Sequence, residues 1–250
     1  MRATYRQLAL ACLVVPGLAL GACGGSPSAS AGLPHDLRGK TGAQIVAASL
    51  AAAAHAAWFH IDDTSTDTSQ TQRLTGDLGS GAAQLSVQAS GASLDVATVG
   101  GMGYIRGSAA SLQSALGLPA AVAAAHSGQW ISLRPQDPPY VGFASILSGS
   151  ILLREFAPGG TVKVVGTRRV DGQDVIELSG GLPGNSAAGQ SGTIILDVAA
   201  RAPHLPVASH GTAAGNGQRA KEQVSFSAWG KEVTVTAPSG AVAYSSLAPG

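Results

Sequence analysis

Gln84-Leu85-Ser86-Val87-Gln88-Ala89-Ser90-Gly91-Ala92-Ser93-Leu94-Asp95-Val96-Ala97-Thr98 decides the fold. Leu85, Val87 and Ala89 alternate with Gln84, Ser86 and Gln88. Gly91 then turns the chain, and Leu94, Val96 and Thr98 alternate with Asp95 and Ala97. A period of two on both sides of a glycine describes two antiparallel strands, each with one buried and one wet face.

The same grammar extends in both directions. Upstream, Phe59 and Ile61 alternate with His60 and Asp62, Arg73 to Leu78 starts a strand, and Gly79-Ser80-Gly81 turns into the quoted pair. Downstream, Met102, Tyr104 and Arg106 follow Gly100-Gly101. Short strands joined by glycine-rich turns make an antiparallel meander. Before it, Thr41 with Gln44 three residues on fits a capping box. Ile45, Val46, Leu50, Ala53, Ala57 and Trp58 then recur at helical spacing in an alanine-rich stretch, which predicts a helix over 41–58. His55 in this helix reads as an exposed histidine, since no second ligand is spaced with it.

After residue 107 the pattern changes. Residues 111–116 and 119–126 read as two short helices separated by Gly117, with Pro119 at a first-turn position. Trp130 to Leu133 is a strand closed by Pro135, Pro138 and Pro139. Residues 141–156 read as a helix or broken helix carrying Phe143, Ile146, Leu147, Ile151, Leu152 and Leu153. The segment is too short to cross a membrane, and a helix apolar nearly all round must be covered. From Thr161 the period of two returns: Val162, Val164 and Gly166 face one way, and Lys163, Val165 and Thr167 the other. Asp171-Gly172 marks a tight turn and 180–192 a polar loop. Further strands are expected at 174–179, 193–198, from Leu205, at 223–229 and at Val233 to Thr236, with Pro238 as a stop.

At the N-terminus, Arg2 and Arg6 precede an apolar run from Leu8 to Leu20, and Leu20-Gly21-Ala22-Cys23 follows. The run has the length of an export signal, and Pro16-Gly17 interrupt it. The four residues resemble the bacterial lipobox, in which the cysteine is acylated and the chain is cut before it. The alternative is an ordinary secretory signal with an incidental cysteine. The expected organisation is a signal over 1–22, lipidated Cys23 with a Gly/Ser tether over 23–39, and a single domain over 40–250.

Composition narrows the function. Removing residues 1–22 leaves 228 residues with 13 cations and 14 acids, so no field is available to hold nucleic acid. Cys12 leaves with the signal and Cys23 is acylated, so folding relies on burial and backbone pairing rather than a disulfide. No Gly-x-Ser-x-Gly elbow, His-Glu-x-x-His helix or dinucleotide fingerprint is present, and the chain is read as non-enzymatic, without cofactor or metal. Asp62, Asp63 and Asp67 read as a solvated acidic turn in preference to a weak cation site. Arg168-Arg169 read as a solvated hairpin end in preference to a head-group contact. His204 and His210 have no evident partners.

The order of one helix, a meander, a helical insertion and more meander resembles the LolA-like carriers and the LppX/LprG-type actinobacterial lipoproteins. Gly103-Tyr104-Ile105-Arg106-Gly107 with Gly128-Gln129-Trp130-Ile131 carries the resemblance. So do Ile194 to Asp197 leading to His204-Leu205-Pro206-Val207, and Phe226-Ser227-Ala228-Trp229-Gly230 with Val233 to Pro238. It covers about residues 41–238. This chain is poorer in charge than the family pattern, which leaves room for the scaffold to serve another ligand. The resemblance implies an α+β fold: a strongly curved antiparallel half-barrel sheet with the N-terminal helix and the mid-chain helices on its concave side. It also implies an apolar cavity that accepts acyl chains or a glycolipid, lined by Trp130, Phe143, Ile146, Leu147, Ile151 and Leu152. The expected state is a monomer anchored on the extracytoplasmic face of the cell membrane. Two readings stand: a lipid-binding or lipid-transfer lipoprotein, and a structural or interaction lipoprotein with a filled core.

Overall fold

The computed structural model describes residues 33–183, 190–215 and 218–247. The signal, Cys23 and residues 24–32 of the tether lie outside the described residues, as does part of the 180–192 loop. A 3-10 turn (His35–Leu37) leads into α1 (Gly42–His55). Then come β1 (Trp58–Asp67), β2 (Thr71–Gly79), β3 (Ala82–Ala89), β4 (Ala92–Val99) and β5 (Met102–Gly107). The insertion holds α2 (Ala109–Leu116), α3 (Ala120–Ala125), β6 (Ile131–Leu133), α4 (Tyr140–Ile146) and α5 (Gly149–Glu155). The rest is β7 (Gly159–Val170), β8 (Gln173–Gly181), β9 (Ser191–Ala199), β10 (Pro206–Gly215), β11 (Gln218–Ser227) and β12 (Val242–Ala243). The strands are hydrogen-bonded in the order β12-β6-β5-β4-β3-β2-β1-β11-β10-β9-β8-β7. The class is α+β, as expected, with an unclosed, mostly antiparallel sheet in which β12 joins β6 in parallel.

The chain divides into two compact units. One holds the N-terminal segment through His55, residues 65–69, and residues 153–226. Its helix α1 starts on the expected box: Gln44 N–H donates to Thr41 Oγ1 (3.3 Å), and Thr41 N–H donates to Gln44 Oε1 (2.8 Å). Together these satisfy two donors that a helix start leaves orphaned. Ile45, Val46, Ser49 and Ala53 form the buried stripe, which faces β7, β8 and β10. The helix ends three residues early because Ala57, at φ 60°, turns the chain into β1. The β7–β8 hairpin closes at Asp171 (φ 47°) and Gly172 (φ 79°), the two left-handed positions of a type I′ turn. β7 carries two register shifts, at Gly159/Lys163 and Val164/Gly166. Its outward set Lys163, Val165 and Thr167 is exposed, as the alternation predicts. Val175, Ile176, Leu178, Leu196, Val198 and Val224 are almost wholly buried, and Phe156 meets Phe226 edge-on at 6.0 Å.

The other unit holds residues 56–64, 70–152 and 227 onward. Leu74, Leu78, Leu85, Val96, Ile105, Ile131 and Leu133 are buried on one side of its strands. Thr75, Ser86, Asp95 and Arg106 stand opposite one another across β2 to β5 on the other. α2 is capped by Ser108, whose Oγ accepts from Ser111 N–H (3.2 Å), and ends at Gly117 (φ 67°). Its Leu112 and Leu116 are buried, and it packs on β4 and β5.

Val233 to Thr236 was expected to close the sheet, and it forms no strand. β11 ends at Ser227, and Ala228 (φ 51°) with Gly230 (φ 72°) turns the chain out of the ladder. Lys231 N–H donates to Ala228 O (3.0 Å) across that turn. The edge is instead taken by β12, with Val242 opposite Ile131 in parallel register.

Candidate functional site

The apolar insertion of residues 141–156 is a broken helix. α4 ends at Ile146, and α5 begins at Gly149. Ser148 N–H donates to Ser145 O (3.3 Å), Ser145 Oγ donates to Gly142 O (2.7 Å), and the hydroxyls of Ser148 and Ser150 pair at 3.3 Å. The serines thus satisfy the break locally. The start of α4 is fixed at two points. Arg134 N–H donates to Asp137 Oδ2 (2.6 Å), and Tyr140 O–H donates to Gly101 O (2.9 Å).

Two close approaches seat the pair on the strands. A Cβ built on Gly103 of β5 would lie 2.8 Å from the Phe143 ring and 3.4 Å from Leu133 Cβ. One built on Gly149 would lie 2.8 Å from the Phe59 ring. Phe59 in turn stacks on Trp229, centroid to centroid 4.9 Å. Glycine at both places lets a ring press on backbone.

Of the residues expected to line a lipid site, Phe143 and Leu147 are buried. Ile146 and Leu152 are half-buried. Ile151 is 47% exposed, and Val141, not among those expected, is 73% exposed. The open side of the helix pair exposes Val141 and Ile151 among Ser145, Ser150 and Arg154.

Trp130 does not join this set. Its ring lies under the Arg106 guanidinium (4.7 Å), and Arg106 is bound to Asp95 (2.7 and 3.0 Å) on the polar side of the strands. The cause is strand alternation: Ile131, the next residue, takes the buried side. Phe59 and Trp229 were missed. Their only sequence signal is two aromatics at the ends of strands 170 residues apart.

The polar candidates resolve as follows. Arg168 is not a solvated hairpin end. It donates from Nε and Nη2 to Asp197 (3.2 and 2.5 Å), whose side chain is fully buried, and it also meets Glu177 (3.1 Å). The Asp197 hydrogen bond raises the guanidinium above its ordinary pKa. Arg169 is the exposed one, beside Asp174 and Gly172 O. The histidines do have partners. His204 is buried, with Nδ1 3.0 Å from Ala199 O and Nε2 2.6 Å from Asp36 Oδ2, and His210 lies 3.9 Å from Asp197. Asp62 pairs with His60 (3.2 Å), and Asp67 accepts from Ser69. Among the described residues, no group of three or more His, Cys, Asp or Glu is placed to hold a metal. None of their helices is long and apolar enough to cross a membrane. A cleft lined by Asp67, Gln190, Ala213, Ala214, Gln218 and Arg219 has an interior of about 10 Å³, room for roughly one water.

No protein-family model matches the chain, and no curated protein matches it in sequence. Similar chains are found among solved structures. The chain is similar to LprF from Mycobacterium bovis, with 14% identity over 80% of this chain and 97% of that one and a TM-score of 0.43. It is similar to MucB, solved in complex with MucA(peri), at 16% identity over 84% of this chain and 60% of that one, TM-score 0.33. It is also similar to the LolA superfamily protein NE2245 from Nitrosomonas europaea, at 10% identity over 75% and 91%, TM-score 0.28.

Proposed function

We propose that this chain is a lipid-anchored lipoprotein of the bacterial cell envelope. It is non-enzymatic, held at the extracytoplasmic face of the cell membrane through Cys23, and it binds or transfers acyl lipid at the α4–α5 layer. The carrying observation is the two large apolar side chains that this layer leaves uncovered. Val141 and half of Ile151 are open to solvent, while Phe143 and Leu147 are buried. Each large apolar side chain left in water forgoes roughly 1.5–3 kcal/mol, so an acyl chain lying along the pair recovers energy the fold leaves unused. The break at Leu147-Ser148 supports the reading, because two short helices shift more readily than one long one. The Leu20–Cys23 sequence and the Gly/Ser stretch behind it support the anchor.

A second reading is a structural or interaction lipoprotein with a filled interior. The close seating of Phe143 on Gly103 favours it, since a side chain already occupies that floor. One experiment separates the two. Organic extract of the purified protein is analysed by mass spectrometry, and uptake of a fluorescent fatty-acyl probe is titrated for wild type, Leu147→Asp and Ile151→Asp. Lipid binding requires probe uptake by wild type and its loss in both variants, with circular dichroism unchanged for the more exposed Ile151→Asp. A wild type that carries no lipid and takes up no probe leaves the filled-core reading in its place.

A further inference from the structure

The polar side of β1 to β6 carries a continuous band of side chains, all within one compact unit. Tyr104, Ala97, Gln84 and Asp77 stand opposite one another across β5, β4, β3 and β2. Arg106, Asp95, Ser86 and Thr75 form the next row. Trp130 closes the band at one end, beside Arg106, and His60 closes it at the other, with Nδ1 2.7 Å from Asp77 Oδ1. The order β6-β5-β4-β3-β2-β1 has five strand spacings, so the band runs roughly 24 Å along the sheet.

The band is low in its middle and taller at its ends. Ser86 and Ala97 are small, and Ala97 is buried between its partners Tyr104 and Gln84. At one end the Arg106 guanidinium lies over the half-buried Trp130 ring (4.7 Å) and is itself held by Asp95. Both of its bonds, from Nε (3.0 Å) and Nη2 (2.7 Å), fall on Asp95 Oδ2. Arg106 Nη1 and Asp95 Oδ1 bond to none of the described residues, so the pair keeps one donor and one acceptor unused. Tyr104 is half-buried, and its hydroxyl also bonds to none of them. At the other end Asp77 accepts from Gln84 Nε2 (3.1 Å), and Thr75 Oγ1 lies 3.5 Å from His60 Nε2.

This chemistry selects a class of ligand. Arg106 and Arg73 stand against Asp95, Asp77 and Asp62, so the band holds no excess of positive charge to attract a polyanion. Its floor of Ser86, Ala97 and Gln84 offers no apolar track for an acyl chain. It does offer two aromatic rings, which pack against C–H surface, beside fixed guanidinium, carboxylate and amide groups. A hydroxyl both donates and accepts, and so can use Arg106 Nη1 and Asp95 Oδ1 alike. We propose that this side of β1 to β6 binds a neutral polysaccharide, with sugar rings packed on Trp130 and Tyr104 and hydroxyls bonded to Arg106, Asp95 and Gln84. The guanidinium stacked on the indole, itself tied to Asp95, holds that end in place before the ligand arrives, which lowers the cost of ordering it. The buried Leu85, Val96 and Ile105 point to the other side of the same strands, and the proposal does not rest on lipid binding.

Fluorescence titration of the labelled full chain with soluble dextran, mannan and galactan tests this, at low salt and at about 1 M salt, where charges are screened beyond roughly 3 Å. Poly-lysine serves as the cationic control. Wild type must bind at least one of the three neutral polymers, with an affinity that salt changes by less than about two-fold. Trp130→Ala must weaken that binding about ten-fold or more. Ser86→Lys, which raises the half-buried floor without touching the core, must do the same with circular dichroism unchanged. Should Trp130→Ala alter the circular dichroism, Ser86→Lys decides alone. Arg169→Met, on the other compact unit, must bind as wild type does. The proposal is overturned by a wild type that binds none of the three polymers, or by binding that high salt abolishes. Binding of poly-lysine alone assigns the face to a cationic partner and overturns it too, as does wild-type affinity in Ser86→Lys or in a folded Trp130→Ala.

Discussion

At the scale of single residues, Arg168 and Arg169 show how far neighbours diverge. They are adjacent in sequence and identical in chemistry, yet one is bonded to a fully buried carboxylate and the other lies in solvent. Removing Arg168 strands Asp197 without its main donor. Loss of one partner from a buried pair costs about 3–5 kcal/mol, and the half-exposure of Arg168 argues for the low end. Arg168→Met is therefore expected to lower stability by about 3 kcal/mol, whereas Arg169→Met stays within about 0.5 kcal/mol of wild type. Urea unfolding of both variants checks this. Equal midpoints would mean that the Asp197 bond contributes nothing. The sequence does not separate the two arginines, because the acid that does so is 29 residues away and reached only through the strand pairing. The Asp36–His204 contact is hidden in the same way, by 168 residues of intervening chain.

At the scale of elements, local signals were legible and tertiary turns were not. Thr41 and Gln44 announce the start of α1 because both halves of the capping box lie within one turn. Thr41→Ala and Gln44→Ala are each expected to cost about 1 kcal/mol. The double variant should cost less than their sum, since each side chain holds the other's backbone. Additive losses in thermal melts would show that the two bonds act separately. The β2 to β5 meander was equally legible, since period two and glycine turns require no distant partner. Val233 to Thr236 carries the same pattern yet leaves the sheet, because the left-handed Ala228 before it has no side chain that announces the conformation. The floor of the candidate site was half legible. Phe143 and Leu147 follow from the apolar run, but the face taken by Trp130 depends on the register of a three-residue strand.

At the scale of the whole molecule, the fold class followed from element order, while the proposed attachment rests on residues at the N-terminus. A single acyl chain binds membranes only marginally, so firm anchoring needs the two or three chains of a processed lipoprotein. In a bacterial host, Cys23→Ala is expected to move the protein from the membrane fraction to the soluble one, and labelled fatty acid should enter wild type alone. A variant that stays membrane-bound, together with an unlabelled wild type, refutes the anchor. If the proposed anchor holds, copies share one plane and meet side by side more often than free copies would. β7 is the outermost strand in the hydrogen-bonding order, twelve residues long, and a flat edge of that length would template stacking between neighbours. Its two register shifts and the exposed Lys163 and Arg169 deny any such template a straight, uncharged run. The irregularity of β7 would then act as insurance against fibril formation in a crowded two-dimensional layer.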